Sequence, residues 1–281
     1  MGGWKMISRT ITGADQCKLQ IREFGSKSAP SIVLIHGWMQ SGLSWRHQIE
    51  STLANDFHLI VPDLRGHGAS DKPQNPEAYA TSSFWAEDLN SIIRTCCSTP
   101  PVLVGWSMGG KVVGDYLGAF GDNEIAGVFL VGSPLVAPKD TGATRPAAVY
   151  FPMTYDADLS VQIKGVLGFL ELCTTEPMTS EDRAFNVAFN MVCEPLAREY
   201  ARTRVSDYRP HFANLTKPAA FLYGDKERVA LPEMCEASAA IVPNADVIVM
   251  EGVSHMPFWE DCDRFNTHLR KFMETCEKEA A

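Results

Sequence analysis

The chain has 281 residues, of which 45% are hydrophobic and 21% charged, enough for a full apolar core in a globular protein. Its formal net charge is −9, so phosphate backbones and anionic lipid repel it, and no nucleic-acid or membrane partner is expected. No apolar run reaches the roughly 18 residues that a bilayer span needs.

The N-terminus, Met1 to Thr10, lacks the apolar run of a signal peptide, and Met6 stands where a myristoylation pattern wants Ser or Thr. The stretch before Gly25 reads as an antiparallel hairpin at a sheet edge. Short apolar, β-branched runs follow at Ser31–Ile35, Phe57–Val61, Pro101–Gly105, Ile125–Val131, Ala220–Gly224 and Val247–Met250, each predicted to be a strand. Helical periodicity lies between them. Trp85, Leu89, Ile92 and Ile93 share one helical face, as do Phe265, Leu269, Phe272 and Met273. Strands without alternation, separated by amphipathic helices, imply an α/β fold with a mostly parallel twisted sheet covered on both faces.

One region breaks this rhythm. From Ser133 to Ala213 there is no convincing strand, only helical patches around Val161–Leu172, Asp182–Val192 and Glu194–Val205. The expected organisation is therefore an α/β core in two parts, 1–132 and 214–281, with an inserted helical cap at 133–213. Eight cysteines are scattered along the chain without a C-x-x-C pair. They read as reduced, mostly buried thiols, give no metal site, and favour a cytoplasmic location.

Gly105-Trp106-Ser107-Met108-Gly109 matches G-x-S-x-G, with a buried strand before it and a helix-compatible segment, Lys111–Phe120, after it. A serine on so sharp a strand-to-helix turn is forced into a strained backbone conformation, and side chains two positions either side would clash. The turn lifts the hydroxyl above the carboxyl edge of the sheet, so Ser107 is the candidate nucleophile. The Met108 amide, at the helix N-terminus, is one expected oxyanion donor. The second is the Trp38 amide in His36-Gly37-Trp38, where Gly37 lets the backbone pass close to a substrate.

Of seven histidines, His255 has the right place for the base, in a loop after the last strand and before the C-terminal helix. His58 lies inside a strand and His268 on a helix; His36 and His67 read as loop-holding residues. The orienting acid falls between nucleophile and base in chain order. Glu227 and Asp225 both lie in the loop after Gly224. Glu227 is the first choice, being farther out and longer; Asp225, at the strand end, is the second and fits a turn role. Trp106, Phe151 and Phe258 are the candidate substrate-binding side chains.

Together these residues resemble the α/β-hydrolase superfamily, in its cofactor-free haloperoxidase and arylesterase-like branch. The likeness is carried by Val104-Gly105-Trp106-Ser107-Met108-Gly109-Gly110, His36-Gly37-Trp38, Asp63-Leu64-Arg65-Gly66-His67-Gly68-Ala69-Ser70 and Ser254-His255-Met256-Pro257-Phe258-Trp259-Glu260. That family usually carries aspartate where Glu227 stands here. The resemblance implies a serine hydrolase with no cofactor, acting on a small-molecule ester or lactone through an acyl-serine intermediate. Thioester or carbon–carbon bond hydrolysis in the same site, or a ligand receptor that kept the fold, are the alternatives. Halide oxidation would be a side reaction of the hydrolytic site.

Overall fold

A computed structural model of the chain describes residues 6–136, 145–204 and 206–280. The expected strands form close to their predicted ends: β1 (Ile7–Thr12), β2 (Lys18–Phe24), β3 (Ser31–Ile35), β4 (His58–Pro62), β5 (Val102–Trp106), β6 (Gly127–Val131), β7 (Ala219–Gly224) and β8 (Asp246–Met250). They make one eight-stranded sheet in the order β1-β2-β4-β3-β5-β6-β7-β8. The β1–β2 hairpin sits at one edge and β2 runs antiparallel to β4; every other pairing is parallel. The interior strands β3 to β7 are buried along their whole length, which is why they read as unbroken apolar runs. At the far edge β8 leaves Val247 and Val249 about half exposed.

The longer helices are α1 (Ser82–Cys96), α2 (Met108–Phe120), α3 (Leu159–Cys173), α4 (Ser180–Val192), α5 (Pro195–Thr203), α6 (Pro232–Ala239) and α7 (Cys262–Ala280). Neighbouring residues of β6 point to opposite faces of the sheet. Phe129 meets Phe265 and Phe272 of α7, while Leu130 lies against Gly110 of α2, so both faces are covered. On α1 the predicted stripe of Trp85, Leu89, Ile92 and Ile93 is buried. Each such side chain stabilises the fold by about 1.5–3 kcal/mol relative to exposure.

Between β6 and β7 the described residues form helices and no strand. Asp158 caps α3 by accepting from the Ser160 amide, Thr179 caps α4 by accepting from the Asp182 amide, and Pro195 opens α5. Of the segment expected to form a cap, residues 137–144 and Val205 lie outside the described residues. Among the described residues, no helix is long and apolar enough to cross a membrane. The cysteines are free thiols, most of them buried.

His36 holds its loop by hydrogen bonds, and His67 Nδ1–H donates to the Arg65 carbonyl at 2.8 Å. His36 Nδ1–H donates to the Gly37 carbonyl at 2.8 Å and its Nε2 accepts from the Leu64 amide at 3.0 Å, so the ring is neutral. Burial pushes its pKa down to about 4. An unfolded histidine titrates near 6.5, so between pH 6.5 and 4 the unfolded chain binds the extra proton and stability falls with falling pH. Urea unfolding across that window is expected to lose stability steeply, and His36→Gln, which keeps an acceptor for Leu64, should flatten the slope. An unchanged slope would remove His36 as the cause.

Candidate active site

At the end of β5 the chain turns through Ser107, whose φ of 53° and ψ of −114° are left-handed for a non-glycine residue. Such a conformation costs on the order of 1–3 kcal/mol and persists only when its surroundings hold it. Here the Ser107 amide donates to the Val131 carbonyl at 2.9 Å, and its own carbonyl accepts from Ser133 Oγ at 2.6 Å. The flanking glycines are sterically required. A Cβ on Gly105 would stand 2.8 Å from the Gly110 backbone, and one on Gly109 would strike the Ile35 carbonyl oxygen. Helix α2 begins at Met108, immediately after the bend.

His255 follows β8 and is wholly buried. Its Nδ1–H donates to Glu227 Oε2 at 2.7 Å. The other carboxylate oxygen, Oε1, accepts from the amides of Val229 (2.8 Å) and Ala230 (3.1 Å), which locks Glu227 in place. His255 Nε2 is buried and makes no hydrogen bond. The imidazole is further held by its backbone carbonyl, which accepts from Trp106 Nε1–H at 2.9 Å. Gly132 is the hub. It follows Val131, which holds Ser107, and a Cβ there would lie 2.9 Å from Glu227 Oε2 and 3.0 Å from His255 Nδ1. The serine turn and the imidazole–carboxylate pair therefore meet around one glycine with φ of +49°.

Asp225 does something else. It accepts from the Gly252 amide at 2.6 Å and from Lys226 Nζ at 2.7 Å, joining the β7 and β8 ends. The Lys226 hydrogen bond holds its carboxyl below the usual range. No hydrogen bond joins it to His255, whose Nδ1 is taken by Glu227.

Trp38 and Met108 line a small cavity of about 80 Å³ together with Ser107 and Phe151. The Trp38 indole donates to the Arg198 carbonyl at 2.7 Å and presents its ring edge-on to Phe151 and Phe169, with centroids 5.3 and 5.5 Å away. Arg198 is itself fully buried and donates to the carbonyls of Cys193, Thr154 and Asn190. The His255 loop is tied to the end of α3 as well. Ser254 Oγ donates to the Leu172 carbonyl, the Met256 amide donates to the Cys173 carbonyl, and Glu260 accepts from the Ser254 and Thr175 amides.

Two expectations need correcting. Trp106 and Phe258 do not reach this cavity. Trp106 is 1% and Phe258 0% exposed; they pack on each other at 4.8 Å, with Trp45 against Phe258, and form the core behind His255. Trp106 neighbours Ser107 in sequence, but its side chain points into the core. Sequence reasoning also missed Lys111, Arg145 and Arg202, which line the cavity. None of the three carried a signal in the sequence: Lys111 follows Ser107 by four residues, but Ser107 is not helical, so no shared helical face marks the pair. Among the described residues, no group of three or more His, Cys, Asp or Glu side chains converges to hold a metal ion.

A model of the Alpha/beta hydrolase family matches residues 32–268, most of the chain. The chain belongs to the α/β-hydrolase family. Similar solved structures include a "putative aryl esterase" from Burkholderia cenocepacia, 28% identical with a TM-score of 0.91, covering 97% of this chain and 100% of that one. The esterase RhEst1 from a Rhodococcus species is also 28% identical, with a TM-score of 0.89 and 96% and 99% coverage. Non-heme chloroperoxidase CPO-A1 of Kitasatospora aureofaciens is 24% identical over 86% of this chain and 91% of its own length. Proteins similar to this α/β hydrolase thus include both esterases and non-heme chloroperoxidases.

Proposed function

We propose that the chain is a serine hydrolase that cleaves a carboxylic ester or lactone through an acyl-serine intermediate. The observation that carries this reading is the buried His255–Glu227 pair, joined at 2.7 Å, with the imidazole Nε2 left unpartnered beside the strained Ser107 turn.

In this mechanism Ser107 Oγ attacks the carbonyl carbon and its proton passes to His255 Nε2. Nδ1–H stays on Glu227, which fixes the tautomer and stabilises the imidazolium. The tetrahedral oxyanion is received by the amides of Trp38 and Met108, aided by the N-terminal dipole of α2. Collapse of the intermediate expels the alcohol, protonated by His255, and leaves the acyl group on Ser107. Water, deprotonated by the same imidazole, then releases the acid. An activated serine needs neither metal nor organic cofactor for these steps. The helical segment 133–213 serves as a cap: its Phe151 and Phe169 wall the cavity in which the acyl group sits. The esterase names among the similar proteins favour an ester over other acyl substrates.

The test is labelling of the full-length chain with a fluorophosphonate, location of the adduct by mass spectrometry, and turnover of p-nitrophenyl acetate. The adduct is expected on Ser107, with multiple turnovers. A label elsewhere overturns the nucleophile. A single slow turnover with a stable adduct would favour the receptor reading.

A further inference from the structure

The cavity beside Ser107 is walled by cations. Lys111, Arg145 and Arg202 all line it, and among the described lining residues there is no carboxylate. This is unexpected in a chain of net charge −9. Among the described residues none of the three forms an ion pair; Glu227 acts on Arg145, and Asp115 on Lys111, only at longer range. The nearby acids are engaged. Glu227 holds His255, and Asp115, one turn beyond Lys111, pairs with Arg204 at 2.8 Å.

The two arginines are fixed in position. Both guanidinium carbons stand 5.0 Å from the Phe151 ring centroid. Arg145 Nε donates to the Val229 carbonyl at 2.6 Å and Arg202 Nη2 to the Tyr155 hydroxyl at 3.2 Å, while Arg202 Nε is buried without a partner. Lys111 is half-buried and makes no hydrogen bond among the described residues; burial, with Arg204, Arg145 and Arg202 nearby, lowers its pKa to about 8. Gathering like charges around an enclosed space is unfavourable unless an anion enters it.

We propose that this site is specific for anionic esters: short esters whose acyl chain ends in a carboxylate that pairs with Lys111 and Arg202. The inference rests on the serine hydrolase reading and adds the class of substrate. Spacing sets the length. Ser107, at the start of α2, and Lys111, in its first turn, line one small cavity, so the second carboxylate lies a few bonds from the scissile carbonyl. The cavity of about 80 Å³ suits so short a chain. Half-esters of small dicarboxylic acids meet both limits. Arg202 offers the planar fork that matches a carboxylate, and Lys111 supplies the point charge.

The test compares two competitors of p-nitrophenyl acetate hydrolysis by the full-length chain. Monomethyl succinate carries the carboxylate; methyl levulinate replaces it with a methyl ketone of similar shape. The inhibition constant for monomethyl succinate is expected to be about tenfold or more below that for methyl levulinate, the difference one or two charge-assisted hydrogen bonds supply. Added salt should narrow the gap. Lys111→Met and Arg202→Gln should each bring the two constants to within about threefold of one another, whereas Lys271→Gln, on the far side of the sheet's helical cover, should keep the wild-type ratio. Equal constants in the wild type, or a ratio that survives both cavity substitutions, would overturn the proposal while leaving the serine hydrolase reading intact. Absence of both p-nitrophenyl acetate turnover and a fluorophosphonate adduct would instead remove that reading, and this one with it.

Discussion

Replacing Ser107 with alanine is expected to lower kcat/KM for p-nitrophenyl acetate by about four orders of magnitude or more, and His255→Ala by a similar factor. In the proposed mechanism the two residues act as one unit. Without the hydroxyl there is no nucleophile, and without the imidazole the hydroxyl keeps its proton. The double variant should therefore be scarcely worse than either single one. A remnant above the rate in water is expected from the Trp38 and Met108 amides, which neither substitution removes. Folding should survive both changes. Ser107→Ala keeps the backbone bonds to Val131 and Ser133. Circular dichroism and a thermal midpoint check this point. A Ser107→Ala protein with wild-type turnover would refute the nucleophile, and strictly additive losses would argue against a shared proton path.

The second large effect separates the two acids. Glu227→Gln is expected to cost about four orders of magnitude in kcat, because it reverses the hydrogen bond to the imidazole. Glu227 Oε1 is already held by the amides of Val229 and Ala230. A glutamine keeps its oxygen there and turns its amide NH2 toward His255. Nδ1 must then accept, the ring proton moves to Nε2, and the base can no longer take a proton from serine. Asp225→Asn should change turnover by no more than about threefold. Its bonds run to the Gly252 amide and to exposed Lys226, and asparagine oxygen can still accept from Gly252. The opposite ranking would transfer the orienting role to Asp225.

Which parts of this molecule were legible in its sequence follows from what each residue must do locally. Strands β3 to β7 are apolar apart from Ser31 and His58 at the starts of β3 and β4, because both sheet faces are covered, so their hydrophobic runs give them away. The turn at Ser107 is legible for a similar reason: the steric demands on Gly105 and Gly109 leave few other residues possible. The Glu227–Asp225 choice was legible only as a preference for Glu227, since both acids lie in one loop and only the direction of a side chain joins Glu227 to His255. Trp106 and Phe258 show the limit of adjacency. A residue beside Ser107, or three beyond His255, can still turn its ring into the core. Lys111, Arg145 and Arg202 are scattered along the chain and resemble ordinary surface cations until the fold gathers them at one wall.

The bonds from Trp38 to Arg198, and from Ser254 and Met256 to Leu172 and Cys173, have a practical consequence for anyone reshaping this protein. Both the loop opposite the serine and the loop bearing the imidazole are anchored to the helical segment between β6 and β7, not to the sheet alone. That segment is no detachable module. Grafting in its counterpart from another hydrolase to alter substrate range would cut these anchors together, and the transplant would have to bring its own replacements before the two loops could keep their registration.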